Sequence, residues 1–335
     1  MQHYNFIIYY GSSDFYKLAY SELEGRKDVR FLTSVLKPRY QFLNKIQRWY
    51  NSIKLNSIIK LPFKSLWFPL YFDVKFDNND PVCLLISGRV LQYDYFVKYL
   101  KFLKKKHQQL KIARYYQDII ATQPLKAKPN LNQDLIDLSV SYDREDAKKY
   151  GLLYHPTSMS YIRPNKNIKV KTSDVYFVGK VKNRLTEILD AYHILTAAKY
   201  TCLFLLMDVP KEQRKDIPGI IYLDHPISYE ENIAYVQKSK CLLEILQDGA
   251  VGATFRCWEA IIYDKILLTN NESLKKEDFY SDQFISIFDK ASNMNVEILK
   301  NEKKFCSPYK TARFPSNFLQ FLSENLENTK RLSYD

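Results

Sequence analysis

CLLEILQDGAVGATFRCWEA, residues 241–260, reads as a strand, a turn carrying two glycines and the beginning of a helix. The run 241–246 is apolar except for Glu244 and is of strand length; Gly249 and Gly252 then interrupt it. Residues 254–263 return at helical period, and a second apolar run follows at 266–269. Strand, turn, helix and strand in this order make a βα unit of a parallel sheet. At the turn the free N–H groups and the positive dipole end of the helix favour an anion, and glycine lets it come close. Asp248, Gly249, Gly252 and Thr254 are therefore candidate ligand positions. Arg256 and Glu259, three residues apart, share a helix face. Arg256 can offer a forked donor to a diphosphate, and Glu259 can accept from two ribose hydroxyls. The same spacing also suits an exposed ion pair worth under about 1 kcal/mol.

Moving towards the N-terminus, the helical pattern at 228–239, the strand-like runs at 220–223 and 202–207, and the helical pattern at 184–198 repeat the alternation. They lead back to a strand at 174–178 that runs into Gly179, Lys180, Lys182 and Arg184. Ligands of open parallel sheets gather outside the carboxyl ends of the strands, so Gly179, Lys180 and Arg184 are candidates for the same diphosphate. Solvated loop cations are the alternative reading. Strand-like runs at 6–10, 29–32, 82–87, 111–113 and 135–141, with helical patterns at 15–23, 39–53, 94–105 and 144–150, predict a second βα series in the N-terminal half. The polar stretch 165–171 marks a boundary, giving domains at 1–164 and 165–316. A last helix and tail at 317–335 can cross back to the first domain.

The series from Val175 to Lys180, Gly249 to Gly252, Glu259-Ala260 and Leu267 to Asn270 resembles the donor-binding domain of GT-B glycosyltransferases. The resemblance is closest to the bacterial enzymes that build lipopolysaccharide and capsule, and it covers about residues 170–290. It implies an α/β protein of two Rossmann-like domains facing across a cleft. It also implies a UDP- or GDP-linked sugar donor, with Glu259 on the ribose and Lys180 and Arg184 near the diphosphate. Many retaining members carry a glutamate eight positions before the ribose-binding one; here that position is Val251, with Asp248 three residues upstream. The stereochemical course therefore stays open.

No DxD motif occupies a suitable place, so transfer without a metal or a further cofactor is expected, with Lys180, Arg184, Arg256 and the helix terminus neutralising the diphosphate. A carboxylate in reach of an acceptor hydroxyl can deprotonate it. Asp14, after the first strand, is one candidate base and an equally suitable helix cap. His155 is the other, against a structural role.

The formal charge of +13 is unevenly held: residues 1–128 carry 22 Lys/Arg against 9 Asp/Glu, whereas 129–335 carry 28 of each. A basic first half points to an anionic partner. Lys101, Lys104, Lys105 and Lys106, interleaved with aromatic and aliphatic residues, make a candidate surface for a lipid-linked glycan acceptor or for the anionic inner face of the cytoplasmic membrane. The apolar members are expected to face the core. Five scattered cysteines, no leader-like start and no apolar run of spanning length lead to the expectation of a cytoplasmic, peripherally attached enzyme. The other class considered is a nucleic-acid-binding protein, suggested by basicity with 27 Tyr and 20 Phe. Confinement of the excess charge to one half, without an RRM, KH or helix-turn-helix pattern, counts against nucleic acid as the partner.

Overall fold

Apolar runs too short for helices and flanked by glycine or polar residues become strands, and in the computed structural model every strand pairs parallel to its neighbours. The structure describes residues 3–11, 14–247, 252–301 and 309–331. The chain divides into two units, one of Met1–Tyr16, Glu22–Pro156 and Pro315–Asp335 and the other of Lys17–Ser21 and Thr157–Phe314.

The first unit contains β1 (Asn5–Tyr9), α1 (Asp14–Ala19, shared with the second unit), β2 (Val29–Leu32), α2 (Asn44–Tyr50), α3 (Ile53–Ile58), β3 (Val82–Ser87), α4 (Asp94–Lys106), β4 (Lys111–Tyr116), β5 (Leu138–Ser141), α5 (Arg144–Tyr150) and β6 (Leu153–Tyr154). Its sheet has the order β2-β1-β3-β4-β5-β6. The central strands are buried on both faces, which is why their sequences are continuous apolar runs rather than alternating ones. As expected, α4 turns Phe96, Tyr99, Leu100 and Leu103 to the core. The periodic stretch expected as one helix at 39–53 is broken at Asn51 and Ser52, because the Ser52 hydroxyl caps a new helix by accepting from Leu55 N at 3.4 Å.

The second unit contains β7 (Ser173–Lys180), α6 (Leu185–Ala197), β8 (Cys202–Met207), β9 (Ile220–Leu223), α7 (Tyr229–Lys238), β10 (Ser239–Glu244), α8 (Phe255–Ile262), β11 (Ile266–Thr269), β12 (Ile285–Ile287) and α9 (Tyr309–Ala312). Its sheet has the order β12-β11-β10-β7-β8-β9. Read outward from β7, this is the doubly wound dinucleotide-binding order, and the direction of winding reverses between β7 and β10. One core layer packs α6 residues Ile188, Ala191 and Leu195 on the sheet; the other packs α8 residues Cys257, Trp258 and Ile261 on its opposite face. The α/β class expected from the sequence is therefore present, built on two parallel six-stranded sheets.

The change of unit comes after Pro156, earlier than 164. Met159 and Ile162 are buried in the α8 layer of the second unit, and Ile162 N donates to the Tyr263 hydroxyl at 2.9 Å. The last helix, α10 (Pro315–Arg331), belongs to the first unit, where the Phe318 ring lies 4.7 Å from Tyr115.

Candidate functional site

The reversal of winding between β7 and β10 leaves a crevice outside their carboxyl ends, the place where open α/β sheets receive ligands. Gly252, Thr254, Arg256 and Glu259 lie on the connection that leaves β10 and on α8, which follows it. Gly252 has φ +85°, a left-handed conformation that suits glycine, and lies two residues before the helix cap. Its N–H donates to Ser273 Oγ at 3.0 Å and its carbonyl accepts from Asn271 Nδ2 at 2.8 Å, so the segment after β11 fixes the turn. Thr254 is the N-cap of α8, with Oγ1 accepting from Arg256 N at 3.1 Å and Cys257 N at 3.5 Å. Two of the helix-terminal donors that the sequence reading offered to an anion are thus taken by the cap hydroxyl.

Arg256 and Glu259 meet as their spacing requires, but as a buried pair rather than an exposed one. Arg256 Nη1 donates to Glu259 Oε2 at 2.6 Å, and the side chains are 14% and 3% exposed. The other carboxylate oxygen accepts from Asn232 Nδ2 at 2.8 Å, and the Tyr176 hydroxyl donates to Asn232 Oδ1 at 3.2 Å. Arg256 Nη2 donates to the Val178 carbonyl at 3.3 Å, and the guanidinium lies 5.5 Å from the centre of the Tyr176 ring. A buried carboxylate, a strand-end carbonyl and an aromatic face therefore hold one cation at the end of β7. Burial pushes the Glu259 carboxyl above its ordinary range, against the lowering effects of Arg256 and of hydrogen bonds from Asn232 and Tyr229. The enclosure corrects the simple picture of an open ribose acceptor: both carboxylate oxygens already have partners inside the protein.

Glu244 was passed over in the sequence because it sits in an apolar run. At the end of β10 it is buried, accepting from Thr254 Oγ1 and from Thr269 Oγ1, the latter at 2.5 Å. Burial raises its pKa as well, opposed by these hydroxyls and by the charge of Arg256. The signal that could have exposed it is the charge itself, since a carboxylate inside a strand buried on both faces has to be satisfied internally. It links β10, β11 and the start of α8 in one polar network.

The cations after β7 have mixed placements. Gly179 and Lys180 end the strand, and exposed Lys180 pairs with Asp208 at 3.0 Å. Arg184 does not reach into the crevice as an unattached arm. It donates from Nε to the Val181 carbonyl at 3.4 Å, and from its terminal nitrogens to the Ile245 and Lys180 carbonyls, tying the ends of β7 and β10 together. A depression of about 660 Å³ beside α6 is lined by Arg184, Glu187, Asp190, His193 and Asp289 among others, and three carboxylates make it a poor match for a diphosphate. Asp248 and Gly249 lie outside the described residues.

In the first unit, α1 begins at Asp14, whose side chain lies outside the described residues. His155 is buried, with Nδ1 2.7 Å from the Pro156 carbonyl and its ring 4.6 Å from Phe318 and 4.9 Å from Phe321. Enclosure by α10 makes it a core histidine in place of the expected base. On α4, Lys104 pairs with Asp137 at 2.7 Å and Lys106 with Asp73 at 2.8 Å, whereas Lys101 and Lys105 are exposed. Half of the expected basic surface is therefore neutralised.

No protein-family model and no curated protein matches the chain. Among solved structures it is similar to an alpha,alpha-trehalose 6-phosphate synthase from Burkholderia multivorans, at 9% identity and a TM-score of 0.48, covering 100% of this chain and 98% of that one. It is also similar to a UDP-GlcNAc 2-epimerase from Neisseria meningitidis bound to UDP-GlcNAc, at 10% identity, a TM-score of 0.47 and coverage of 97% and 93%. A third is a UDP-forming alpha,alpha-trehalose-phosphate synthase from Burkholderia xenovorans, at 10% identity, a TM-score of 0.44 and coverage of 89% and 90%.

Proposed function

We propose that the chain is a glycosyltransferase that binds a nucleoside-diphosphate sugar at the carboxyl ends of β7 and β10 and transfers the sugar to an acceptor hydroxyl. The observation that carries this reading is Arg256, a cation fixed at the reversal point of a doubly wound sheet by Glu259, the Val178 carbonyl and the Tyr176 ring. A guanidinium has five N–H donors, and these contacts use two, which leaves three for a diphosphate. A preorganised cation is worth most where phosphate charge builds up on the leaving group. Exposed Lys180 at the end of β7, paired with Asp208, adds a second cation, and Arg184 acts by holding the two strand ends in register. Glu259 positions Arg256 in this reading.

The acceptor class follows from the resemblance and from the charge of the first unit: a hydroxyl of a bacterial surface glycan such as lipopolysaccharide or capsule, presented at an anionic membrane to a peripherally attached cytoplasmic enzyme. Transfer without a metal belongs to the same proposal. Thermal-shift measurements with UDP, GDP, CMP and dTDP compounds test the donor site, since a ligand that binds only the folded state raises the melting temperature. Stabilisation by one of them is the expected result. Stabilisation by none, with single-stranded nucleic acid stabilising instead, overturns the reading.

A further inference from the structure

Between β2 and β3 lies a segment whose polarity is reversed. Phe42, Ile46 and Trp49 follow the i, i+4, i+7 spacing of one helical face and are exposed, Trp49 by 62%. Inward from them, Gln47 and Asn51 are buried: Gln47 Nε2 donates to the Tyr71 hydroxyl at 3.0 Å, and Asn51 Nδ2 donates to the Gln47 carbonyl at 3.0 Å. A helix that only had to cover a core would place these residue types the other way round. After the break the exposed apolar series continues with Ile58, Phe63 and Leu66, at 76%, 72% and 72%. Phe63 has φ +56°, unusual for a bulky residue, and the Tyr50 hydroxyl donates to the neighbouring Pro62 carbonyl, so the apolar tip is held outward by built structure.

The charge of the segment is as one-sided as its hydrophobicity. From Val29 to Phe72 the sequence has eight Lys/Arg and no Asp or Glu. Lys45, Arg48, Lys54 and Lys60 are exposed, and none of them pairs with a carboxylate among the described residues. An exposed apolar patch of this kind marks an interaction surface. A second copy of the chain would set these cations against their own kind. Single-stranded nucleic acid would use aromatic faces for stacking but has no use for exposed Ile46, Ile58 and Leu66. A bilayer with anionic headgroups matches both features, an apolar boundary beneath a negative surface.

We propose that residues 42–66 form an interfacial membrane anchor, with Phe42, Ile46, Trp49, Ile58, Phe63 and Leu66 entering the headgroup–acyl boundary and Lys45, Arg48, Lys54 and Lys60 contacting anionic lipid. This deepens the peripheral attachment proposed above and moves it from α4, whose lysines are half neutralised. It rests on residues outside the donor site, so vesicle binding and nucleotide-induced stabilisation succeed or fail separately.

The test is flotation of the purified full chain with phosphatidylcholine/phosphatidylglycerol vesicles, beside phosphatidylcholine vesicles alone. Binding to the anionic vesicles is expected, together with a blue shift of tryptophan emission that Trp49→Phe removes. Each of Lys45→Glu, Arg48→Glu and Lys54→Glu should weaken binding by roughly fivefold or more. Ile58→Ser with Phe63→Ser should weaken it by about tenfold or more, with circular dichroism and the nucleotide response retained. Should a variant fail to fold, the wild-type flotation and the Trp49 shift still decide. The proposal is overturned by absence of binding to anionic vesicles, by binding indifferent to all these substitutions, by a dimer in solution that the apolar substitutions dissociate, or by preferential binding of single-stranded RNA.

Discussion

Glu259 illustrates how residue type and spacing acquire meaning only once burial is known. Its carboxyl is held above the ordinary value of 4.5 by desolvation, even with Arg256 and Asn232 favouring the charged form. The folded state consequently binds this proton more tightly than the unfolded chain does. The corresponding stability is fully present below the unfolded value and is lost as pH rises through the raised folded one. Glu259→Gln lacks this titration, so its melting temperature should move upward relative to wild type as pH is raised from about 4.5. A difference that does not change with pH would contradict the burial account. Thr254 is tested more simply, because one hydroxyl both caps α8 and donates to Glu244. Thr254→Ala should cost about 1–2 kcal/mol from the cap, and more where Glu244 loses its partner, as read by chemical denaturation. Thr254→Ser should restore most of it.

At the scale of elements, the sheet of the second unit depends on close approach between neighbouring connections. Gly219, just before β9, has φ +84°, and a Cβ there would lie 2.2 Å from the Cys202 carbonyl oxygen on β8. Because the obstacle is backbone and the conformation is left-handed, Gly219→Ala should destabilise the protein by more than about 1 kcal/mol in urea titrations. Loss of under half that amount would show that β9 docks less tightly than described. Much of both sheets was legible from sequence: 29–32 and 82–87 coincide with β2 and β3 of the first unit, and 202–207, 220–223 and 266–269 with β8, β9 and β11 of the second. Their apolar runs are bounded by turn residues, and that contrast marks a buried strand. β12 went unrecognised because Ile285–Ile287 is three residues long and carries no distinctive period. The boundary at 164 was misplaced because 157–164 has no helical or strand pattern, yet Met159 and Ile162 pack in the second unit. The helical pattern at 39–53 was visible, but periodicity alone does not say which face turns inward, and here the apolar one faces out.

For the molecule as a whole, the division of charge seen in the sequence corresponds to a division of structure. The excess of 13 cations in residues 1–128 falls almost wholly in the first unit, and the second unit holds the doubly wound sheet with its fixed arginine. Of the candidate site, Arg256, Glu259, Gly252 and Thr254 were legible because a strand–glycine–helix junction is a local pattern. Glu244, Asn232 and Tyr176 were not, since Asn232 meets Tyr176 and Glu259 only when β7, α7 and α8 are assembled, and Glu244 meets Thr254 and Thr269 only when β10, α8 and β11 are. His155 looked like a catalytic group for the converse reason: sequence gives no sign that α10 returns to cover it. That Arg256 receives a diphosphate is checked by calorimetric titration of the stabilising nucleoside diphosphate into wild type and Arg256→Lys. The substitution keeps the charge and removes the fork, so a fall in affinity of roughly 10- to 100-fold with an unchanged circular dichroism spectrum is predicted. Equal affinity in the two proteins would contradict it.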